Sequence, residues 1–298
     1  MQVELILLVL SLLFFASIFT DKIGYKFGVP ALLLFLAVGM LFGPDGIGRL
    51  INDNGVGYML NVGSAQAIGT IALCIILFSG GLDTKLSDIR PVMAPGLTLA
   101  TIGVLLTMVI TGVIIYFVFG WMQSVASVSI AVALLMASTM SSTDSASVFS
   151  ILRTRRQGLK ENLRPLLELE SGSNDPMAYI LVILLVKMLG DGATQINIGA
   201  SVLMFVVQMA VGAFVGYLFG RASVWIINKI NINNASLYSV LLLACVFFTF
   251  SFTSLIKDNG YLAVYIAGLI VGNNKLVNKR TVNTFFDVIT WLFQIIMF

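Results

Sequence analysis

Long apolar runs alternate with short polar segments along the whole chain. A helix that crosses the hydrocarbon core of a bilayer needs about 20 predominantly apolar residues. By that measure the pattern predicts about ten transmembrane helices, at residues 2–20, 29–43, 64–82, 93–119, 125–151, 163–189, 196–228, 235–257, 260–273 and 281–298. A membrane β-barrel would instead show segments of roughly ten residues in which polar and apolar positions alternate. The pattern therefore favours an all-α, polytopic membrane helical bundle.

The composition leaves too little polar surface for a soluble domain. The 298 residues are 58% hydrophobic and 10% charged, with a mean hydropathy of +1.00, whereas a soluble domain carries about 25% charged residues. This excludes a soluble enzyme and a nucleic-acid-binding protein. The chain has no histidine, which removes histidine-based acid–base catalysis and most zinc sites. Cys74 and Cys245 lie within apolar runs and are interpreted as small buried hydrophobic residues. We therefore expect no enzyme activity and no cofactor.

Lysine and arginine residues are concentrated in alternate connections between the predicted helices. The connections after even-numbered helices hold Arg49, Lys187 and Lys257, and those after odd-numbered helices hold the other 14 of the 17 basic residues. Basic residues are enriched in cytoplasmic loops of membrane proteins. The odd connections are therefore predicted to be cytoplasmic and the N-terminus to lie outside. The first residues lack a basic region, so the first helix is not expected to be a cleavable signal peptide.

Two short predicted helices share a glycine pattern. Residues 36–43 read LAVGMLFG and residues 265–272 read YIAGLIVG, and glycines four positions apart let neighbouring helices approach closely. The two helices differ by seven in order, so they cross the membrane in opposite directions. Paired short segments of opposite direction are typical of inverted repeats.

This repeat predicts a domain organisation. Residues 1–189 are interpreted as a first repeat of six helices, residues 196–228 as a linker helix, and residues 235–298 as a partial second repeat that stops three helices early, as in a C-terminally truncated chain. The linker helix also carries Gly212, Gly216 and Gly220. These glycines predict either a contact between two copies of the chain or close packing within the bundle.

Four acidic residues lie inside predicted helices, away from the ends. They are Asp144 in the fifth helix and Glu168, Glu170 and Asp175 in the sixth. Ionisable groups within the membrane are costly and are candidates for a functional site. The two helices are consecutive and antiparallel, so they can bring these carboxylates together. Asp175 is about twelve residues from the start of its helix, near mid-membrane at about 1.5 Å of rise per residue.

Both Asp144 and Asp175 are surrounded by residues that weaken a helix. Residues 137–147 contain seven hydroxyl side chains in eleven, and these compete with helical backbone bonding. Residues 170–176 read ESGSNDP, which predicts an interruption of the sixth helix by glycine and proline. Freed carbonyls together with hydroxyl and carboxylate oxygens suit a hard monovalent cation. The alternative is that the two aspartates are hydrogen-bonded packing residues.

A carboxylate buried without a fixed cationic partner can hold either a proton or a metal cation near neutral pH. One site that holds either ion, but not both, is sufficient for antiport once it can face each side of the membrane in turn. The residues therefore predict a secondary transporter that exchanges a cation for a proton. A cation channel is the alternative, and it would conduct without obligatory coupling to protons.

The residues of the fifth and sixth helices are similar to a known motif. Thr143-Asp144 followed by residues 168–176, ELESGSNDP, resembles the NhaP-like monovalent cation/proton antiporters, and the potassium/proton antiporter branch in particular. The likeness extends from Lys22 through the sixth helix and includes residues 78–82, FSGGL, at the end of the third helix.

The resemblance implies roles for individual residues. Asp175 would be the main carboxylate for the ion and the proton, with Asp144 binding the same monovalent cation directly or through water. The backbone of Thr143 and the hydroxyl of Ser171 would supply further oxygen ligands. Glu170 and Asn174 would shape this ion- and proton-binding site, and the Asn174–Asp175 pair resembles the branch that exchanges one cation per proton.

The resemblance also implies how the whole protein works. It would exchange K+ or Na+ for H+ by alternating access, in the plasma membrane (the bacterial inner membrane), as a homodimer in which a core domain shifts against a dimerising domain. Ser79 departs from the family, because many relatives carry an acid there. The family has about thirteen helices, with a second interrupted helix and a basic residue in the later ones. Neither is present in residues 1–298, so this chain by itself is expected to be a non-transporting fragment.

Overall fold

The computed structural model describes residues 2–27, 31–42, 62–121, 128–143, 148, 152, 159–160, 162–190, 198–256 and 260–297. Its helices follow the predicted apolar runs. They are α1 (Gln2–Phe27), α2 (Ala31–Phe42), α3 (Val62–Asp83), α4 (Leu86–Trp121), α5 (Ile130–Thr139), α6 (Leu163–Gly190), α7 (Ile198–Lys229), α8 (Ala235–Leu255), α9 (Gly260–Gly272) and α10 (Lys279–Met297). No β-strand occurs in the described ranges. The predicted all-α class is confirmed.

Five helices in the described part of the chain are long and apolar enough to cross a membrane. They are Ala65–Asp83, Leu86–Trp121, Leu163–Gly190, Val206–Lys229 and Ala235–Leu255. Shorter apolar helices lie at Leu10–Thr20, Ala31–Leu41, Ile130–Thr139 and Gly260–Gly272. Many large apolar side chains point outwards, among them Trp121 at 89% exposure and Phe214 at 66%. Such a surface is unsuited to water, and the chain is a multi-pass membrane protein.

The fourth helix departs from its predicted form. It begins at Leu86 instead of residue 93, because its first turns are polar and the apolar pattern assigns them to the preceding connection. A 3₁₀ turn at Arg90–Val92 and a π-helical turn at Leu99–Gly103 interrupt its α-helical segments. Pro91 and Pro95 each lack the backbone N–H that an α-helix uses in this region. The hydrophobic pattern does not predict the π-helical turn.

The chain divides into two compact units. Residues 1–76 with 284–298 form one unit, in which α1 packs against α2. Residues 77–283 form the other, which contains α4 to α9 and the end of α3. Within this second unit, α4, α5 and α6 pack around Met108, Ala137 and Leu185.

Glycines bring α7 and α9 of the second unit into close contact. A Cβ atom added at Gly216 would overlap the backbone of Ala263, and one at Gly220 would meet Ala267 and Ile270. Of the two packing alternatives for the linker-helix glycines, the structure therefore supports packing within the bundle for these two positions. Close approach of this kind is what small residues at helix interfaces allow.

The end of α3 also lies against α9 through glycines. A Cβ at Gly268 would overlap the carbonyl oxygen of Phe78, and one at Gly272 would overlap that of Leu82. From the other side, a Cβ at Gly81 would overlap the carbonyl oxygen of Tyr265. The glycine pair predicted to mediate close packing in the ninth helix does so. The domain boundaries predicted from the inverted repeat remain a prediction.

Candidate functional site

The hydroxyl-rich segment ends the fifth helix. α5 stops at Thr139 and the chain turns through Met140. The side chains of Ser138 and Ser141 donate hydrogen bonds to the carbonyls of Leu135 and Ser138 at 2.7 and 2.8 Å, and Thr139 donates to Met136 at 2.8 Å. These bonds satisfy carbonyl groups at the end of the helix locally, so the chain can leave the helix inside the bundle. Asp144 lies outside the described residues.

The sixth helix is continuous, and the predicted interruption is wrong. α6 runs from Leu163 to Gly190 and passes through Gly172 and Pro176 without a break. Proline removes one backbone donor, the N–H that would bond to the carbonyl of Gly172. Neighbouring helices in a membrane bundle tolerate such a loss. α6 is therefore a rigid support for its polar side chains, and the break lies at the end of α5.

Asp175 faces the turn that follows α5. The Ser142 hydroxyl lies 2.5 Å from Asp175 Oδ1 and 2.9 Å from Asn174 Oδ1. Ser142 has one hydrogen to donate, so two acceptor oxygens share a single donor. Three oxygen atoms from three side chains converge at this point.

Asn174 joins the two helices through a second set of contacts. Its Nδ2 donates to Thr143 Oγ1 at 2.5 Å and to Glu170 Oε1 at 2.9 Å. The Thr143 hydroxyl donates to Glu170 Oε2 at 3.2 Å, and Ser171 Oγ donates to the Thr143 backbone carbonyl at 3.5 Å. Asn174 and Ser171 are fully buried, whereas Thr143 is exposed. The closed ring of Thr143, Glu170 and Asn174 orients the turn after α5 against α6.

The structure thus brings together Asp175, Thr143, Ser171, Asn174 and Glu170 of the predicted site. Sequence reasoning did not single out Ser142, although it lies among the seven hydroxyl residues of the predicted break. Which of these hydroxyls contacts Asp175 depends on the direction of the turn after α5, and the composition of the segment does not determine that direction.

A second polar cluster lies nearer the start of α6. Arg164 Nε donates to Glu168 Oε1 at 2.9 Å, and the Thr84 hydroxyl lies 3.5 Å from Glu168 Oε2. Glu168 and Thr84 are buried. Tyr265 of α9 is also fully buried, and its ring contacts the position where Gly172 would carry a Cβ. Sequence reasoning identified Glu168 as an intramembrane acid but assigned it no partners.

The oxygen-rich site has the chemistry of a site for a hard cation. Carboxylate, hydroxyl, amide and backbone carbonyl oxygens surround it, and these are the ligands that hard cations prefer. Among the described residues, no group of three histidine, cysteine, aspartate or glutamate side chains is placed to hold a metal ion.

Comparison with known proteins places this geometry in a family context. The model for "sodium/hydrogen exchanger, transmembrane" matches residues 6–298. The K+/H+ antiporter NhaP of Alkalimonas amylolytica is 37% identical over 299 residues, which cover 99% of this chain and 49% of that protein. The K+/H+ antiporter NhaP2 of Shewanella sp. (strain MR-4) is 34% identical over 290 residues, which cover 97% of this chain and 47% of that protein. The chain spans about half the length of these curated relatives.

A solved structure shares the fold. The sodium proton antiporter MjNhaP1 from Methanocaldococcus jannaschii at pH 8 matches with a TM-score of 0.71 and 21% identity, covering all of this chain and 72% of that one. The resemblance to NhaP-like antiporters that the motifs of the fifth and sixth helices predict is confirmed by the family model and the relatives. On the match over residues 6–298, this chain belongs to the transmembrane sodium/hydrogen exchanger family.

Proposed function

We propose that the protein containing this chain is a secondary transporter that exchanges K+ or Na+ for H+ at Asp175. The observation that carries the proposal is the position of Asp175, on a continuous helix and facing the hydroxyl of Ser142 in the turn after α5. The names of the relatives, K+/H+ antiporters, favour K+ as the cation. The protein is a transporter and not an enzyme.

The proposed exchange uses one carboxylate for two ions. Deprotonated Asp175 binds the cation, with Asp144, the Thr143 backbone carbonyl and Ser171 as further oxygen ligands. Protonation of Asp175 removes its negative charge and releases the cation. Glu170 and Asn174 hold Thr143 in place through their hydrogen bonds. Since the site accepts either one proton or one monovalent cation, each cycle moves one of each in opposite directions.

We also propose the arrangement in the membrane. The basic residues place the connections after odd-numbered helices in the cytoplasm and the N-terminus outside, in the plasma membrane. The functional protein is a homodimer. Residues 1–189 form its first repeat, residues 196–228 a linker helix, and residues 235–298 the beginning of the second repeat.

Asp175→Asn tests the proposal. The substitution keeps the size of the side chain and removes only the titratable charge, so exchange should be abolished while folding is retained. Cation-driven proton movement is measured with a pH-sensitive dye in proteoliposomes that hold the full-length protein. Asp88→Asn is the matched control, because Asp88 is exposed and its carboxylate accepts a hydrogen bond from the hydroxyl of its neighbour Ser87. Exchange at the wild-type rate in Asp175→Asn would contradict the single-carboxylate mechanism.

The same vesicles separate an antiporter from a channel. A pH jump across an antiporter membrane drives cation uptake against its gradient, because the two fluxes are obligatorily coupled. A channel carries the cation down its own gradient whatever the pH difference. Cation flux that is insensitive to the pH jump would favour the channel.

A further inference from the structure

Within the described residues, the carboxylate of Glu168 has fewer hydrogen-bond donors around it than it has oxygen atoms to accept them. The Thr84 hydroxyl donates its one hydrogen to the carbonyl of Gly80 at 2.7 Å. The Thr84 hydroxyl oxygen also lies 3.5 Å from Glu168 Oε2. Because its hydrogen is already used, the lone pairs of the hydroxyl oxygen face those of the carboxylate oxygen. Arg164 binds only the opposite carboxylate oxygen, Oε1. Among the described residues, Oε2 of this buried carboxylate has no good donor, and burial makes that costly.

Tyr265 provides a second, independent observation at the same place. Its side chain is fully buried, and its hydroxyl makes no well-formed hydrogen bond within the described part of the chain. The Tyr265 ring lies against Gly172, one helical turn from Glu168 on α6, and its hydroxyl lies near that of Thr84. A buried, unpartnered hydroxyl next to an under-bonded carboxylate oxygen marks a position that a ligand can fill.

We propose that Glu168 Oε2, the Thr84 hydroxyl and the Tyr265 hydroxyl form a second binding site for a monovalent cation. All three groups supply oxygen, and only the carboxylate is charged, which suits a hard monovalent ion. A cation there satisfies the lone pairs of all three oxygens at once.

The position of this site relates it to Asp175. Glu168 and Asp175 are seven residues apart on α6, so they lie on the same face of the helix and about 10 Å apart along its axis. A cation bound at Glu168 is therefore close enough to move directly to the exchange site at Asp175. On the proposed topology, this second site lies on the cytoplasmic side of Asp175, so a cation from the cytoplasm reaches it before the exchange site.

Arg164 regulates this second site by competition. The Arg164 side chain is 46% exposed, whereas that of Glu168 is 11% exposed. The guanidinium is therefore nearly half exposed to solvent and can leave the carboxylate when a cation binds. Removing its charge should strengthen cation binding, an outcome that a purely structural ion pair does not predict.

The test measures cation binding in the full-length protein by thermal unfolding. Potassium chloride is compared with choline chloride at equal ionic strength, because a ligand that binds the folded state raises the unfolding temperature. Asp175→Asn should retain a K+-dependent rise, since Glu168 is intact. Adding Tyr265→Phe should raise the K+ concentration for half-maximal effect about tenfold, and Arg164→Gln should lower it. Adding Glu168→Gln should abolish the rise.

Two control variants remove the same chemical groups as the test variants, a tyrosine hydroxyl and a carboxylate charge, but at positions outside the second site. In the Asp175→Asn background, Tyr179→Phe removes an exposed hydroxyl from the same helix, and Asp88→Asn removes an exposed carboxylate. Both should leave the K+ dependence unchanged. Tyr265→Phe leaves the Arg164–Glu168 pair intact, so it stays informative if Glu168→Gln fails to fold.

The inference rests on the proposed function for the identity of the cation, and the two fail in different ways. If the wild type responds to K+ but Asp175→Asn does not, the second site is overturned and the exchange site stands. An unchanged K+ dependence on adding Tyr265→Phe likewise overturns the second site. If the wild type does not exchange ions in proteoliposomes, the proposed function fails whatever the melting data show.

Discussion

At the scale of single residues, Ser142 in the turn after α5 contacts Asp175. Its hydroxyl lies within hydrogen-bond distance of Asp175 Oδ1 and Asn174 Oδ1 but carries one hydrogen. When Asp175 is charged, that hydrogen serves the carboxylate. When Asp175 is protonated, it donates to Ser142, and Ser142 then donates to Asn174. The Ser142 hydroxyl can therefore bond Asp175 in both states of the proposed cycle. It donates to the charged carboxylate, and it accepts from the protonated one while donating to Asn174.

Ser142→Ala should therefore weaken cation binding in the full-length transporter. A hydrogen bond to a charged group contributes about 1.5–3 kcal/mol, so the cation concentration for half-maximal exchange should rise about tenfold or more. Ser142→Thr keeps a hydroxyl and should recover most of the affinity. The measurement is initial exchange rate against K+ concentration in proteoliposomes.

The neighbouring serine provides the control. Ser141 is buried, and its hydroxyl bonds back to the carbonyl of Ser138 in α5. Ser141→Ala removes a hydroxyl one position away and should leave the half-maximal K+ concentration unchanged. Equal effects of the two alanine variants would show that Ser142 only supports the turn.

At the scale of elements, α6 depends on one contact with α9. A Cβ added at Gly172 would lie 2.9 Å from Cε2 and 3.0 Å from Cζ of Tyr265. The ring is fully buried, so it has little room to move. The packing of Tyr265 therefore requires a glycine at position 172. This position is one residue from Ser171 and two residues from Asn174 in the sequence. The glycine that sequence reasoning read as a helix breaker permits close packing of a continuous helix.

Gly172→Ala should destabilise the protein by about 1–3 kcal/mol, the cost of overpacking a well-packed site. It should also reduce exchange, because α6 must shift where it carries Ser171 and Asn174. Unfolding temperature and exchange rate are measured together. Adding Tyr265→Leu, which removes the ring, should recover part of the loss.

Gly190→Ala is the matched control on the same helix. Among the described residues, a Cβ at Gly190 meets no atom within 4 Å, and Gly190 is the last residue of α6, so the substitution changes little in the helix interior. This variant should be as stable as the wild type or slightly more stable. A loss of stability in Gly190→Ala equal to that in Gly172→Ala would show that the effect does not depend on the contact with Tyr265, and would remove Tyr265 from the explanation.

At the scale of the whole molecule, the chain holds one part of a longer family architecture. It spans about half the length of its curated relatives. The turn after α5 carries site residues, yet Thr143 is exposed. An exposed polar turn within a membrane bundle is costly unless other protein covers it.

We therefore predict that residues 1–298 by themselves do not catalyse coupled exchange. Within the described residues, Thr143 of the turn after α5 is exposed, and unsatisfied polar groups in hydrocarbon cost on the order of several kcal/mol each. Reconstitution of this segment should show no saturable cation-driven proton movement, whereas the full-length protein should show it. Robust exchange by the segment would mean that these helices are sufficient.

The helices, the membrane environment and most of the residues that lie together around Asp175 could be predicted from the sequence alone. Continuous apolar runs predict membrane helices because hydrocarbon demands internal backbone bonding, and α6 to α9 lie within a few residues of their predicted places. Intramembrane acids such as Asp175 are identifiable because burying a charge is too costly to occur without a role. Local chemistry also predicts the end of α5, since hydroxyl side chains compete for its carbonyls.

Which helix ends at the site, which hydroxyl contacts Asp175 and which residues surround Glu168 follow from tertiary packing and not from local sequence. Proline and glycine weaken any helix, yet α6 is continuous through Gly172 and Pro176, and Tyr265 packs where a Cβ at position 172 would lie. Thr84 and Tyr265 are 84 and 97 residues from Glu168 in the sequence, and neither has a local pattern that points to it. Such contacts depend on how helices far apart in sequence pack together, and local propensity holds no information about that.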